Sequence, residues 1–154
     1  MGKITYYDLA ENDYHFLKDD YESGKIGNLL CSTAQNICER YLKDIINEYC
    51  RDVDTTTILR THSLKGLRSF IRQYISDFSC NWNIIMQADG YYFSARYPGD
   101  EAFLVGKEDV DSCWEAVEYT REMVMNYKNR YLQNNNLGAK GLILLFFELL
   151  FWAS

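Results

Sequence analysis

Ser32-Thr33-Ala34-Gln35-Asn36-Ile37-Cys38-Glu39-Arg40-Tyr41-Leu42-Lys43 decides the fold class of this chain. Its apolar residues Ala34, Ile37, Cys38, Tyr41 and Leu42 recur at steps of three and four, the period of an α-helix rather than of a strand. Leu30 upstream and Ile45 downstream extend the stripe, so a helix covers about residues 27–50. The small side chains of Ala34 and Cys38 let a neighbouring helix approach closely.

The segments on either side read the same way. Leu9, Phe16, Leu17 and Tyr21 predict a helix over Tyr6–Glu22 with its apolar face on those residues, closed by Ser23-Gly24. The turn through Gly27 is short, which makes the first two helices antiparallel neighbours. Residues 52–57 are polar and β-branched and read as a loop. Thr61 is placed to cap a third helix, with Leu64, Leu67, Phe70, Ile71, Tyr74 and Ile75 facing inward. A fourth, irregular helical segment covers about residues 82–95, weakened by Gly90. Pro98 cannot continue it, so Arg96-Tyr97-Pro98-Gly99-Asp100 is a turn. The last regular helix, about 108–132, has Val110, Cys113, Trp114, Val117, Val124, Tyr127 and Tyr131 on one stripe and acids at its dipole-positive start. These segments predict an all-α chain: an up-and-down bundle of four main helices plus a shorter one.

Composition narrows the function. The chain has 154 residues, enough for one domain with a real core, and a single proline, too few for the turns of an all-β fold. Aromatics reach 16%, which gives a small bundle much area to bury. A net charge of −6 argues against a broad nucleic-acid surface, which needs basic residues to neutralise phosphates. The five cysteines form no C-x-x-C pair, and with no secretory leader at the start they read as reduced thiols of a cytoplasmic protein. With only His15 and His62 available, and neither near a cysteine in sequence, no metal site is expected, and nothing calls for a cofactor.

The domain is expected to occupy residues 1–133, followed by a polar linker at Asn134-Asn135-Asn136 and an apolar tail over 142–153. The tail is shorter than the roughly 20 apolar residues of a membrane span and contains Glu148. It reads either as a subunit contact or as a terminus of separate origin.

The motifs, in this order, resemble the HEPN family of small helical domains. Ala34 to Lys43 is similar to that family's A-x-x-A-x-E-x-x-L-K run, Thr61-His62-Ser63-Leu64-Lys65-Gly66-Leu67 to its threonine–histidine helix start, and Tyr92-Phe93-Ser94-Ala95-Arg96-Tyr97-Pro98 to its Y-x-x-x-R-Y-P turn. The resemblance implies a bundle that forms a homodimer and binds a nucleotide or a nucleotidyltransferase partner, in some members within a toxin–antitoxin pair. It also implies that His62 and Arg96 share one pocket.

Family members that cut RNA without a metal carry Arg-x(4–6)-His on the last helix. One group moves the 2′-hydroxyl proton and a cation steadies the phosphate. Here the positions at that spacing before His62 are Thr55, Thr56 and Thr57, those before His15 are Asp8, Leu9 and Ala10, and the last helix has no histidine. The pair is absent, so a non-catalytic domain is the leading expectation. An RNA-cutting toxin with a rearranged site and a purely structural dimerisation module remain the alternatives.

The candidate ligand residues are His62, Arg96, Tyr97 and Lys65. His62, read as part of the first turn of the third helix, feels the positive dipole end and can hydrogen-bond a ligand or simply tie down the helix start. Arg96 can grip a phosphate or cap its own helix, with Tyr97 packed beside it. Lys65, Arg68 and Arg72 share a helix face, which is either a phosphate row or a solvated surface. His15 reads as a surface residue, and Glu115, Glu118, Arg121 and Glu122 as ordinary exposed charges.

Overall fold

The structure, a computed structural model, describes residues 2–94, 97–99 and 102–152, with 139–152 as backbone alone. It divides into two units, Met1–Val124 and Met125–Ser154.

Among the described residues the chain is all-α. The long helices are α1 (Tyr6–Glu22), α2 (Asn28–Tyr49), α3 (Leu64–Tyr74) and α6 (Lys107–Trp152), with single-turn helices α4 (Trp82–Ile85) and α5 (Tyr91–Ser94) between α3 and α6. The first helix begins at a reciprocal cap: the Asp8 N–H donates to Thr5 Oγ1 at 3.1 Å while the Thr5 N–H donates to Asp8 Oδ2 at 2.8 Å. It ends at Ser23, after which Gly24 adopts φ +76°, a conformation that a Cβ would strain.

Side-chain pairs fix the packing order. Tyr7 meets Asp44, Glu11 meets Tyr41 and Asp13 meets Arg40, so α1 and α2 run antiparallel. Glu11 meets Arg121, Tyr14 meets Glu118 and Tyr21 meets Asp111, so α1 and α6 are antiparallel too. The free thiols of Cys31 and Cys113 are neighbours, and Thr120 Oγ1 donates to Cys38 Sγ at 3.5 Å, the two contacts rising together, so α2 and α6 are parallel. Helix α2 is the centre of the unit: Ala34, Ile37, Cys38, Tyr41, Leu42, Ile45 and Ile46 are buried, and so are Gln35, Glu39, Lys43 and Asp44.

The α1 face differs from the one predicted. Ala10, Tyr14 and Leu17 point inward, whereas Leu9 and Phe16 are exposed. Tyr14 and Tyr21, seven residues apart, stack on Trp114 at 5.6 and 5.0 Å, and this aromatic contact sets the rotation of the helix. On α3 the buried face is Leu64, Leu67 and Ile71, continued by Ile75, while Tyr74 faces outward.

The third helix starts two residues later than expected. Its cap is Ser63, whose Oγ accepts the Gly66 N–H at 3.1 Å, and Thr61 Oγ1 instead accepts the Ser63 N–H at 3.2 Å. The segment read as one irregular helix is three short turns, broken where Asp89 is extended and Gly90 takes φ +94°. Asp89 is drawn away from helical geometry to accept the Leu64 N–H at 3.0 Å, which serves α3 rather than its own segment.

In the second unit the backbone is helical. Asn134-Asn135-Asn136, predicted as a linker, lies inside α6. The side chains of the apolar tail, and Ala153 altogether, fall outside the described residues. No helix among the described residues is long and apolar enough to cross a membrane.

Candidate functional site

Gln35, Glu39 and Lys43 stand at four-residue steps on α2 and therefore share one stripe. All three are buried. Burying a carboxylate is expensive unless its oxygens are taken up, and here both are engaged. Glu39 Oε1 accepts from Gln35 Nε2 at 3.1 Å. Glu39 Oε2 lies 3.1 Å from His62 Nδ1 and 3.5 Å from Lys43 Nζ.

Gln35 does a second job. Its Nε2 also donates to the His62 carbonyl at 2.7 Å, and its Oε1 accepts the Tyr92 N–H at 2.7 Å. One side chain on α2 thus fastens both the strand-like approach to α3 and the start of α5. The His62 and Tyr92 rings stack at 4.0 Å between centroids, 6° from parallel.

His62 lies one residue before the Ser63 cap, so it is not in the first turn of α3 as predicted, and the helix dipole is not what orients it. Glu39 orients it. A carboxylate on Nδ1 requires that nitrogen to carry hydrogen, which leaves Nε2 as the outward ring atom. Nε2 has no partner among the described residues, and the side chain is 41% exposed. The arrangement holds a histidine rigidly with one donor–acceptor nitrogen toward solvent.

The other candidates are placed differently. Tyr97 is exposed and belongs to the same aromatic run at one remove: its ring is 6.3 Å from Phe93, which meets Tyr92 edge-on at 4.9 Å. Arg96 lies outside the described residues, so its predicted pocket with His62 does too. Lys65 and Arg72 are exposed and Arg68 half-buried, and none makes an ion pair among the described residues. His15 is exposed, 4.0 Å from Glu11. No group of three or more potential metal ligands occurs among the described residues.

Glu39, Gln35, Lys43 and Tyr92 were missed as site residues. The available signal was the spacing alone: three polar residues at four-residue steps, with Asn36, Arg40 and Asp44 beside them, a pattern that a solvated stripe also shows.

A second cluster corrects the reading of Arg121 as an ordinary exposed charge, while Glu118 is exposed as read and accepts from Tyr14. Arg121 is half-buried and forks onto Glu11, Nε to Oε1 at 2.8 Å and Nη2 to Oε2 at 3.0 Å, and its guanidinium lies 4.4 Å over the Tyr14 ring. Tyr41 donates to Glu11 at 2.5 Å, and Tyr14 to Glu118 at 2.5 Å. Burial works to raise the Glu11 pKa, but the hydrogen bonds from Arg121 and Tyr41 outweigh it and hold the carboxyl below its usual 4.5. Burial, reinforced by the Glu118 carboxylate, pushes the Tyr14 phenol up to about 12. This cluster ties α1, α2 and α6 together.

The model of one family, the HEPN domain, matches residues 5–129 of the chain. No curated protein and no solved structure matches it.

Proposed function

This chain belongs to the HEPN domain family, and on that premise we propose that it is a non-catalytic member that binds a nucleotide or a nucleotidyltransferase partner through His62. It acts as a homodimer in the cytoplasm, in the setting of a toxin–antitoxin pair. The observation that carries the reading is the buried Glu39 carboxylate on His62 Nδ1, which points Nε2 outward beside the stacked Tyr92 ring. A fixed imidazole nitrogen and an aromatic edge suit a ligand with both a polar head and a flat ring. Lys65 supplies nearby charge in sequence, and Arg96-Tyr97 completes the contacts that the family resemblance assigns. The ribonuclease spacing is missing from the sequence, which favours binding over cleavage.

A thermal-shift screen of nucleoside triphosphates tests this. Stabilisation of the wild type that disappears in His62→Ala supports the nucleotide reading. If every nucleotide leaves the melting temperature unmoved, and purified nucleotidyltransferases encoded beside the chain do not co-elute with it, the reading is wrong.

The Glu39–His62 pair also favours a second reading, RNA cleavage at a rearranged site. A carboxylate behind an imidazole is the arrangement of a general base. It predicts growth arrest on expression that His62→Ala relieves, and intact cellular RNA in the induced culture counts decisively against it.

A further inference from the structure

Two cysteines meet inside the first unit and take no part in the His62 site or the Arg121 cluster. Cys31 on α2 is 0% exposed and Cys113 on α6 is 1% exposed, and both are free thiols. The helix register puts them together. The two helices are parallel, and Cys38 meets Thr120. Seven residues earlier on each helix, about two turns, stand Cys31 and Cys113. A small cavity gives the same placement, since Leu30 and Ala34, which flank Cys31 on α2, line it together with Cys113. The thiols hydrogen-bond each other.

This pair differs from the buried Cys38. Burial disfavours a thiolate and pushes Cys38 up to about 12. At Cys31 the hydrogen bond from Cys113 outweighs burial and holds the thiol below its usual 9.0. The same bond raises Cys113, which keeps its proton. The cavity against Cys113 measures about 10 Å³, room for one water-sized molecule. An aromatic thiol reagent is far too large for it. Hydrogen peroxide is close to water in size and needs only a small opening of the core.

We propose that Cys31 and Cys113 are a peroxide-sensing dithiol: a small peroxide oxidises Cys31, and Cys113 converts the product into a disulfide that staples α2 to α6. The Cys31 thiolate sulfur attacks one peroxide oxygen, the O–O bond breaks, and the other oxygen leaves as hydroxide and takes up a proton. Cys31 is then a sulfenic acid. The Cys113 sulfur attacks the Cys31 sulfur, the S–O bond breaks, and a second water leaves with the Cys113 proton. Two thiols are oxidised to one disulfide, and one peroxide is reduced to two waters. The hydrogen-bonded sulfurs close to about 2.05 Å, a small shift of one helix on the other. In reducing surroundings such a bond is transient, which suits a sensor. A short chain of contacts leads from the pair to the His62 site. Asp109, whose charge bears on Cys31, accepts the Tyr91 O–H at 3.0 Å, and the next residue, Tyr92, stacks on His62.

The test treats the reduced full chain with hydrogen peroxide at pH 7, quenches it, unfolds it in an alkylating agent and maps the linked peptides by mass spectrometry. One linkage, Cys31 to Cys113, should dominate and should vanish with a dithiol reductant. The linked protein should melt at or above the reduced protein, because the bond forms in the native fold. Peroxide acting on the urea-unfolded chain should instead scatter linkages among the five cysteines. Cys113→Ala should leave Cys31 as a sulfenic acid that dimedone traps on unfolding, and Cys31→Ala should leave Cys113 untrapped. Where a variant does not fold, the wild-type map decides alone. A folded wild type that forms no Cys31–Cys113 linkage, that links Cys50 or Cys80 instead, or that melts lower once linked overturns the proposal. Trapping of Cys113 in a folded Cys31→Ala overturns the order of the two steps.

Discussion

Replacing Glu39 by glutamine removes one charge from the buried polar stripe of α2 while keeping its shape. Glu39 Oε2 faces Lys43 Nζ at 3.5 Å, and the two side chains are 1% and 8% exposed. In Glu39→Gln the lysine ammonium is left in the interior without a counter-charge, which costs about 3–5 kcal/mol. A hydrogen bond from the ammonium to the one remaining side-chain oxygen returns about 1 kcal/mol, with the amide NH2 left toward the Gln35 Nε2 donor. The expected loss is therefore about 2–4 kcal/mol, a large share of the roughly 5–15 kcal/mol that holds a domain folded. Urea unfolding at pH 7 reads it as a lower midpoint with the slope unchanged. Adding Lys43→Met removes the orphaned charge, so the double variant should recover to within about 1 kcal/mol of wild type. A single variant within about 0.5 kcal/mol of wild type, or a double variant weaker than the single, would refute the reasoning.

Glu11→Gln should be less stable than wild type at pH 7 and converge on it in acid. The folded carboxyl titrates below its usual 4.5, so its contribution is full above that value and is lost as pH falls through the lowered one. Denaturant midpoints from pH 7 to pH 2 check this, and parallel curves contradict it. Leu17→Ala should cost about 2–5 kcal/mol and Leu9→Ala under about 1 kcal/mol, since Leu17 is 4% exposed and Leu9 42%; equal losses would mean that α1 is rotated. Burial pushes the Cys38 thiol up to about 12, so an aromatic disulfide reagent at pH 8 should modify it only after unfolding. Native labelling of Cys38 ahead of half-buried Cys50 would contradict its place in the core.

Apolar periodicity carried most of the fold. The α2 stripe from Leu30 to Ile45 is buried as read, because a central helix must satisfy packing on that face whatever surrounds it. Periodicity was weaker for α1, where Leu9 and Phe16 look as apolar as Leu17. The inward face was decided by tyrosines stacking on Trp114, a contact across about 100 positions that no local window contains. The start of α3 was misplaced for a similar reason. Thr61 and Ser63 are equally good caps in isolation, and the Asp89 side chain on the Leu64 N–H settles between them. At the site, His62 was legible as a rare residue in a recognisable motif. Its orientation was not, because the group responsible sits on another helix, and a glutamate among arginine and lysine neighbours reads as solvated until its burial is known.

The most direct test uses the fact that the chain has only two histidines. In nitrogen-detected NMR of the labelled protein, imidazole signals of His15 and His62 are followed while a nucleoside triphosphate is added. The account predicts that His62 Nε2 shifts in a saturable manner, that Nδ1 keeps the signature of a proton shared with a carboxylate, and that His15 stays still. A spectrum in which His62 Nδ1 carries no such proton would contradict the account, and one in which His62 does not move would overturn its nucleotide reading.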